Sequence, residues 1–230
     1  MKTMIGIAAA FLLAAATPAV ADCDDKPKAG VNWSECPKGH LILRGMNLAG
    51  AKLASADLSA TDFMDADLSK ADLTGATVAR GRFRKAKLAG ATLDKIYAYR
   101  TNFLSADLSG ATLAKAELDR ALMAESILTG ADLTKASLAR ADLRGADMRD
   151  AKLVQAYLAR TNFSGAAMAG ADFTKAYFLL TRIEGTDLSA AVGLEQEQIE
   201  ESCGNAETKL PSGLTAPASW PCAPLEEEAD

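Results

Sequence analysis

The 230-residue chain predicts an all-β solenoid of stacked four-sided coils, closed by a short C-terminal capping helix. Three observations predict it. From Leu43 to Leu188 every fifth residue is large and apolar, with Ala98 the one exception and no insertion or deletion anywhere in the run. The residue two places earlier is small in most repeats, as at Ala51, Ala56, Ala66 and Ala71. The residues at positions 45, 50, 55 and onward sort into columns when arranged with a period of twenty: Arg80, Arg100, Arg120, Arg140 and Arg160 fall in one, Lys95, Lys115, Lys135 and Lys175 in a second, and Gly50, Gly90, Gly110, Gly130 and Gly170 in a third.

A period of five suits neither an α-helix, which repeats every 3.6 residues, nor a flat strand, which repeats every two. A right-angled coil does suit it: each five-residue stretch is one side, the small and the central residues point to the axis, and the other three face solvent or turn a corner. Units at such a short fixed period bury their apolar face only against neighbouring units. The period of twenty then means four sides per coil. The thirty sides from 43 to 188 make seven to eight coils, which at about 4.8 Å per coil give a rod of about 35 Å.

The pattern A(D/N)LSGA, with variants at 56–60, 66–71, 71–76 and 106–111, resembles the pentapeptide-repeat proteins. The resemblance implies a right-handed quadrilateral β-helix over about two thirds of the chain. It implies little about function, because the motif residues build the rod and the family uses the rod in many ways.

The remaining elements follow in chain order. Residues 1–21 read as a signal peptide: Lys2, an apolar run from Met4 to Ala16, and Ala19-Val20-Ala21 before Asp22. The run is too short to span a bilayer and no later segment supplies a span. Asp22 beside Cys23 departs from the small residue a lipid-anchor site needs, so an exported, periplasmic or secreted protein is expected. Residues 22–40 form an N-terminal cap, with Trp33 already in a central slot and Cys36 in a small-residue slot, so that the first coil begins before Leu43. Lys38 in the next central slot is expected to be strained or exposed, making this end irregular.

Residues 41–192 are the β-helix. Residues 193–225 form a C-terminal cap: a helix from Leu194 to Cys203 stopped at Gly204, with Leu194 and Ile199 over the open end, then a Pro-rich extended stretch. Residues 226–230 are an acidic tail, expected to be disordered. Four cysteines in an exported chain point to disulfides more than to a metal. Three pairings are open; the economical one is local, Cys23 with Cys36 and Cys203 with Cys222.

The sequence offers no catalytic set. His40, the only histidine, falls in the cap with no nucleophile motif near it, and the aspartates recur one place before the central residue, where a carboxylate bonds to backbone at turns. Ala, Leu and Phe fill the interior slots, which leaves no substrate cavity. No cofactor or metal site is expected, and no enzyme.

The surface carries the functional expectation. The side centred on Leu58, Val78, Ala98, Leu118, Leu138, Leu158 and Phe178 is bordered by the Lys column at one corner and the Arg column at the next, and all four tyrosines (Tyr97, Tyr99, Tyr157 and Tyr177) lie on it. Neighbouring unit charges about 4.8 Å apart repel by about 1 kcal/mol in water, so stacked arginines need counter-charge. Either acids such as Glu117, Asp119 and Asp142 supply it, the ladder being a by-product of coil duplication, or an anionic partner does. We read the chain as a non-catalytic interaction scaffold that presents this side to a protein or an anionic polymer of the envelope.

The alternative is a DNA mimic that binds a topoisomerase, as the resemblance allows. The expected export disfavours it. So does the charge of the rod, where residues 41–190 hold 20 Lys plus Arg against 17 Asp plus Glu; nucleic acid is likewise disfavoured as a partner.

Overall fold

The computed structural model describes residues 21–222. Parallel backbone pairing joins every fifth residue to the one twenty places on, without a break from Asn32 with Lys52 to Asp172 with Val192. Each rung has the same chemistry. Leu53 N–H donates to Asp72 O at 2.7 Å, Asp72 N–H donates to Ala51 O at 2.9 Å, and Ala56 N–H closes the corner onto Leu53 O at 3.1 Å. Successive coils therefore satisfy one another's backbone, as parallel strands do, while from Leu48 to Leu188 the small and central residues of the sides are buried.

The corners explain why the fifth position looks so permissive. It has positive φ at glycines such as Gly50 (65°), but also at twenty-one other residues, Arg120 (57°) and Lys135 (61°) among them. This left-handed conformation costs an L-residue roughly 1–2 kcal/mol. None of the twenty-one is β-branched, the class that tolerates it least. Long flexible Lys and Arg are accepted there and project outward. Aspartates and asparagines one place before the central residue fasten the same corners: Asp57 Oδ1 accepts from Ser59 N–H at 3.0 Å, Asp67 from Ser69 at 2.9 Å and Asp132 from Thr134 at 2.9 Å.

Two interior columns add to the packing. Phe63, Phe83 and Phe103 stack with ring centroids 4.6 and 5.0 Å apart. The buried threonines of the same side reach back to the previous coil, Thr101 Oγ1 donating to Val78 O at 2.9 Å, Thr161 to Leu138 O and Thr181 to Leu158 O at 2.7 Å. A hydroxyl in a small-residue slot thus finds an acceptor without leaving the core.

At the N-terminal end the coil starts within residues 22–40 rather than at 41, since Asn32 and Pro37 already pair with Lys52 and Asp57. Asp22 N–H donates to Asn32 O, Trp33 Nε1 donates to Asp25 O at 3.0 Å, and a disulfide joins Cys23 to Cys36. The expected irregularity at Lys38 is absent. The frame continues through His40 (φ 62°), and the Lys38 ammonium lies 4.7 Å from the Trp33 ring centroid, a cation–π contact that lets a charged side chain stand at the half-covered end of the core.

The C-terminal end breaks the count. Arg182 pairs with Cys203 and Asp187 with Lys209, one and two residues beyond the spacing of twenty. The side above Tyr177 is taken by α1, Gln196–Glu200. The helix expected over 194–203 is thus a single turn or so, ending at Glu201. Gly204 is not its stop; Gly204 packs under the Trp220 ring, where a Cβ would come within 2.4 Å of the ring. Gln198 is buried and donates to Phe173 O and Ala176 O of the last coil, Ile199 is fully buried, and Leu194 is partly buried against the core. Trp220 Nε1 bonds Ser202 O at 2.8 Å, and a second disulfide joins Cys203 to Cys222. The local pairing of all four cysteines is the one found. The predicted signal peptide up to Val20 and the acidic stretch 226–230 lie outside the described residues.

Candidate interaction face

The side between the Lys and Arg corners is flat because its rungs are unbroken from Pro37 to Tyr177. Its outward column reads Asp57, Thr77, Tyr97, Glu117, Ser137, Tyr157, Tyr177. Tyr97, Tyr157 and Tyr177 are 42%, 45% and 42% exposed, in a column whose backbone is fixed by the ladder beneath. Tyr157 and Tyr177, one coil apart, stack at 5.2 Å with planes 10° apart. Tyr97 stands three coils from Tyr157, about 14 Å, and joins no such stack. Tyr99 occupies the neighbouring turn column, half-buried, and carries the Arg100 guanidinium at 5.5 Å.

Lys95, Lys115, Lys135 and Lys175 are exposed along one edge, and so are Arg80, Arg100 and Arg140 along the other, while Arg120 and Arg160 are half-buried. Arg100, Arg120, Arg140 and Arg160 each already take part in a contact. Ala98, the weak central slot, is fully buried beneath Tyr97 and Tyr99 with Ile96 beside it. At the C-terminal end of this side Lys175, Ala176 and Tyr177 meet Glu195, Glu197, Gln198 and Glu201 around an open groove of about 230 Å³.

Two of the acids expected to neutralise the Arg ladder have other bonds. Asp142 is bound by Arg144 through two side-chain contacts of 2.8 and 2.7 Å. Asp119 Oδ1 accepts from Ser137 Oγ and from Ala139 N–H one coil on. Sequence reasoning missed Arg144 because it occupies a turn position rather than a corner. It also missed the pairing around Asp62, which is 6% exposed and lies between Arg44 at 2.5 Å and Arg82 at 3.4 Å. The two guanidinia and the Met64 N–H overcome burial and hold the Asp62 carboxyl below its usual range. The signal was available: Arg44, Asp62 and Arg82 sit in successive coils of one side. Among the described residues no group of His, Cys, Asp and Glu is placed to hold a metal ion, and no helix is long and apolar enough to cross a membrane.

A rod whose interior slots are filled coil after coil, with its polar chemistry on flat outer sides, defines a solenoid built on a five-residue unit. The family model for pentapeptide repeats matches residues 42–78, 82–114, 116–155 and 151–189 in eight copies; the chain belongs to the pentapeptide-repeat family.

Among solved structures it is similar to QnrB1, a plasmid-mediated fluoroquinolone resistance protein, at 18% identity over 75% of this chain and 90% of that one, with a TM-score of 0.48. It is also similar to HetL, involved in heterocyst differentiation regulation in the cyanobacterium Nostoc sp. strain PCC 7120, at 26% identity over 76% of this chain and 88% of that one, with a TM-score of 0.30. A third is a pentapeptide-repeat protein of the Arabidopsis thaliana thylakoid lumen, at 26% identity over 56% and 79% of the two chains, with a TM-score of 0.30. No curated protein sequence matches significantly.

Proposed function

We propose that the protein is an exported, non-catalytic scaffold whose Lys/Tyr/Arg side meets a protein or an anionic polymer of the envelope. One observation carries the reading: Tyr97, Tyr157 and Tyr177 stand nearly half exposed on one flat side, between a column of lysines and a column of arginines. Tyrosine supplies contact area at small entropic cost, and guanidinium forks suit carboxylate and phosphate. A backbone fixed by the ladder needs little ordering on binding, which lowers the cost of association. The two disulfides support an oxidising compartment. The filled interior supports a binding role over catalysis, since a substrate needs a concave site.

The test is a triple charge reversal, Arg100→Glu, Arg120→Glu and Arg140→Glu, beside a Tyr157→Ala/Tyr177→Ala variant. Each is assayed for salt-dependent binding to polyglutamate and polyphosphate and for capture of partners from the envelope fraction. Loss of binding in both variants is expected. Binding unchanged by the reversal overturns the proposal.

A further inference from the structure

The side next to the tyrosine column, centred on Leu43, Phe63, Phe83 and Phe103, carries a charge that the chain as a whole does not. Its first five coils, residues 40–45, 60–65, 80–85, 100–105 and 120–125, hold seven Lys plus Arg against three Asp plus Glu, an excess of four in a chain whose net charge is −5. Five of the seven cations crowd the first three coils: Arg44, Arg80, Arg82, Arg84 and Lys85, all exposed. Asp62 is held between Arg44 and Arg82, and Arg82 Nη2 also donates to Met64 Sδ at 3.2 Å. The side chains of Arg80, Arg84 and Lys85 have no hydrogen bond or ion pair among the described residues.

The outward column of the same side pairs Ile42, Asp62, Arg82, Asn102 and Leu122 in successive coils. Ile42 is 77% exposed two coils before Arg82, and Leu122 is 48% exposed two coils after it. The basic patch therefore lies between two apolar tips about 19 Å apart, all on one side whose backbone the ladder holds flat.

We propose that this side docks on the surface of a membrane rich in anionic phospholipid, with its cations at the phosphates and Ile42 and Leu122 dipping below the headgroups. Two independent observations carry the assignment, the local excess of positive charge and the exposed apolar residues that flank it. Guanidinium forks pair with phosphate, and long cationic stems cover apolar surface while their heads stay at the polar level. A soluble polyanion would meet the cations and leave Ile42 and Leu122 in water, whereas a bilayer surface takes up both kinds of group. Its planar shape also matches a flat side better than it matches a cleft. Each Lys or Arg near an anionic surface contributes a factor of about five in affinity, and covering an exposed isoleucine contributes about tenfold.

The experiment measures binding of the full chain to vesicles of about one-third phosphatidylglycerol in phosphatidylcholine and to vesicles of phosphatidylcholine alone. The quantity read is the ratio of the two affinities, in which a charge-independent contribution from residues 1–20 cancels. The native ratio is expected to be well above one at low salt and to collapse at about 0.5 M, where the screening length falls to about 4 Å. Arg80→Gln/Arg84→Gln/Lys85→Gln is expected to lower the ratio about a hundredfold, three factors of about five; Gln155 already occupies such a corner with φ 56°, so the fold accepts glutamine there. In the native chain, spin-labelled lipid is expected to broaden the Ile42 and Leu122 methyl signals and to spare Leu179, which is 39% exposed on another side. A native ratio near one, a variant that keeps the native ratio, or equal broadening at Leu179 overturns the proposal. So does polyphosphate that shifts the Arg82 and Arg84 signals where anionic vesicles leave them unmoved, which identifies a soluble anion. Tyr157→Ala/Tyr177→Ala is expected to leave the ratio unchanged, so this proposal and the reading of the tyrosine side fail separately.

Discussion

Replacing Phe83 by leucine tests whether the stacked phenylalanines stabilise the rod beyond their apolar bulk. Phe83 is fully buried, with Phe63 at 4.6 Å on one side and Phe103 at 5.0 Å on the other. Leucine keeps a large apolar side chain but deletes both ring contacts, each worth about 0.5–1.5 kcal/mol beyond buried area, for a total of about 1–3 kcal/mol. Alanine removes the volume as well and is expected to cost about 3–5 kcal/mol. The neighbouring slot gives no easy relief: Gly81 lies so close that an added Cβ would meet Val78 O at 2.8 Å and the Phe83 ring at 3.1 Å. Glycine is therefore fitted to phenylalanine at this site.

The assay is urea unfolding with amide exchange read residue by residue. Because each coil touches only its neighbours, lost protection is expected to centre on residues 61–63 and 101–103. A Phe83→Leu protein within 0.5 kcal/mol of native, or protection lost evenly along the rod, refutes the reasoning.

Thr101→Val keeps the shape of the side chain and removes its bond to Val78 O, which still accepts from Gly81 N–H; a loss of about 0.5–1.5 kcal/mol is expected in thermal or urea unfolding. Asp187 is held at about 2 by the Ser189 hydroxyl and then by the Lys209 ammonium. Lys209→Ala is expected to raise that pKa toward 3.8 without reaching it, read by carboxyl NMR titration. Asp147 is likewise lowered to about 2, chiefly by Arg149. A depressed folded pKa contributes stability above the unfolded value that is lost as pH falls, so acid destabilisation between about pH 4 and 2 is expected to diminish in Asp147→Asn. Cys222→Ser is expected to cost about 3 kcal/mol by opening the loop to Cys203, with exchange rising first at residues 180–203.

The ladder was legible because its two rhythms are direct consequences of geometry: five residues make a side, and four sides bring Asn32 over Lys52 and each following pair into register as far as Asp172 with Val192. The corner aspartates were legible for the same reason, since a carboxylate at Asp57 has the Ser59 N–H as its nearest donor wherever the motif recurs. The tyrosine side follows from counting alone. The C-terminal cap was not legible, because its one- and two-residue offsets at Cys203 and Lys209 are set by what must fit above a closing coil, and no repeat announces them. Nor was the fate of Asp142, whose partner Arg144 is only two residues away yet sits at a position the repeat leaves free. Lys38 misled because a cation in an interior slot looks strained until Trp33 is seen beneath it.

The unbroken interval of twenty between paired residues also fixes how such a molecule can change length. Adding or deleting one residue inside the ladder would carry every later corner off its column and every later inner residue out of the core. A block of twenty can enter or leave and disturb only the two coils it joins. The distance between features on one side, such as Tyr97 and Tyr157, is therefore quantised in steps of about 4.8 Å, so the molecule can serve as a gauge whose settings are whole coils.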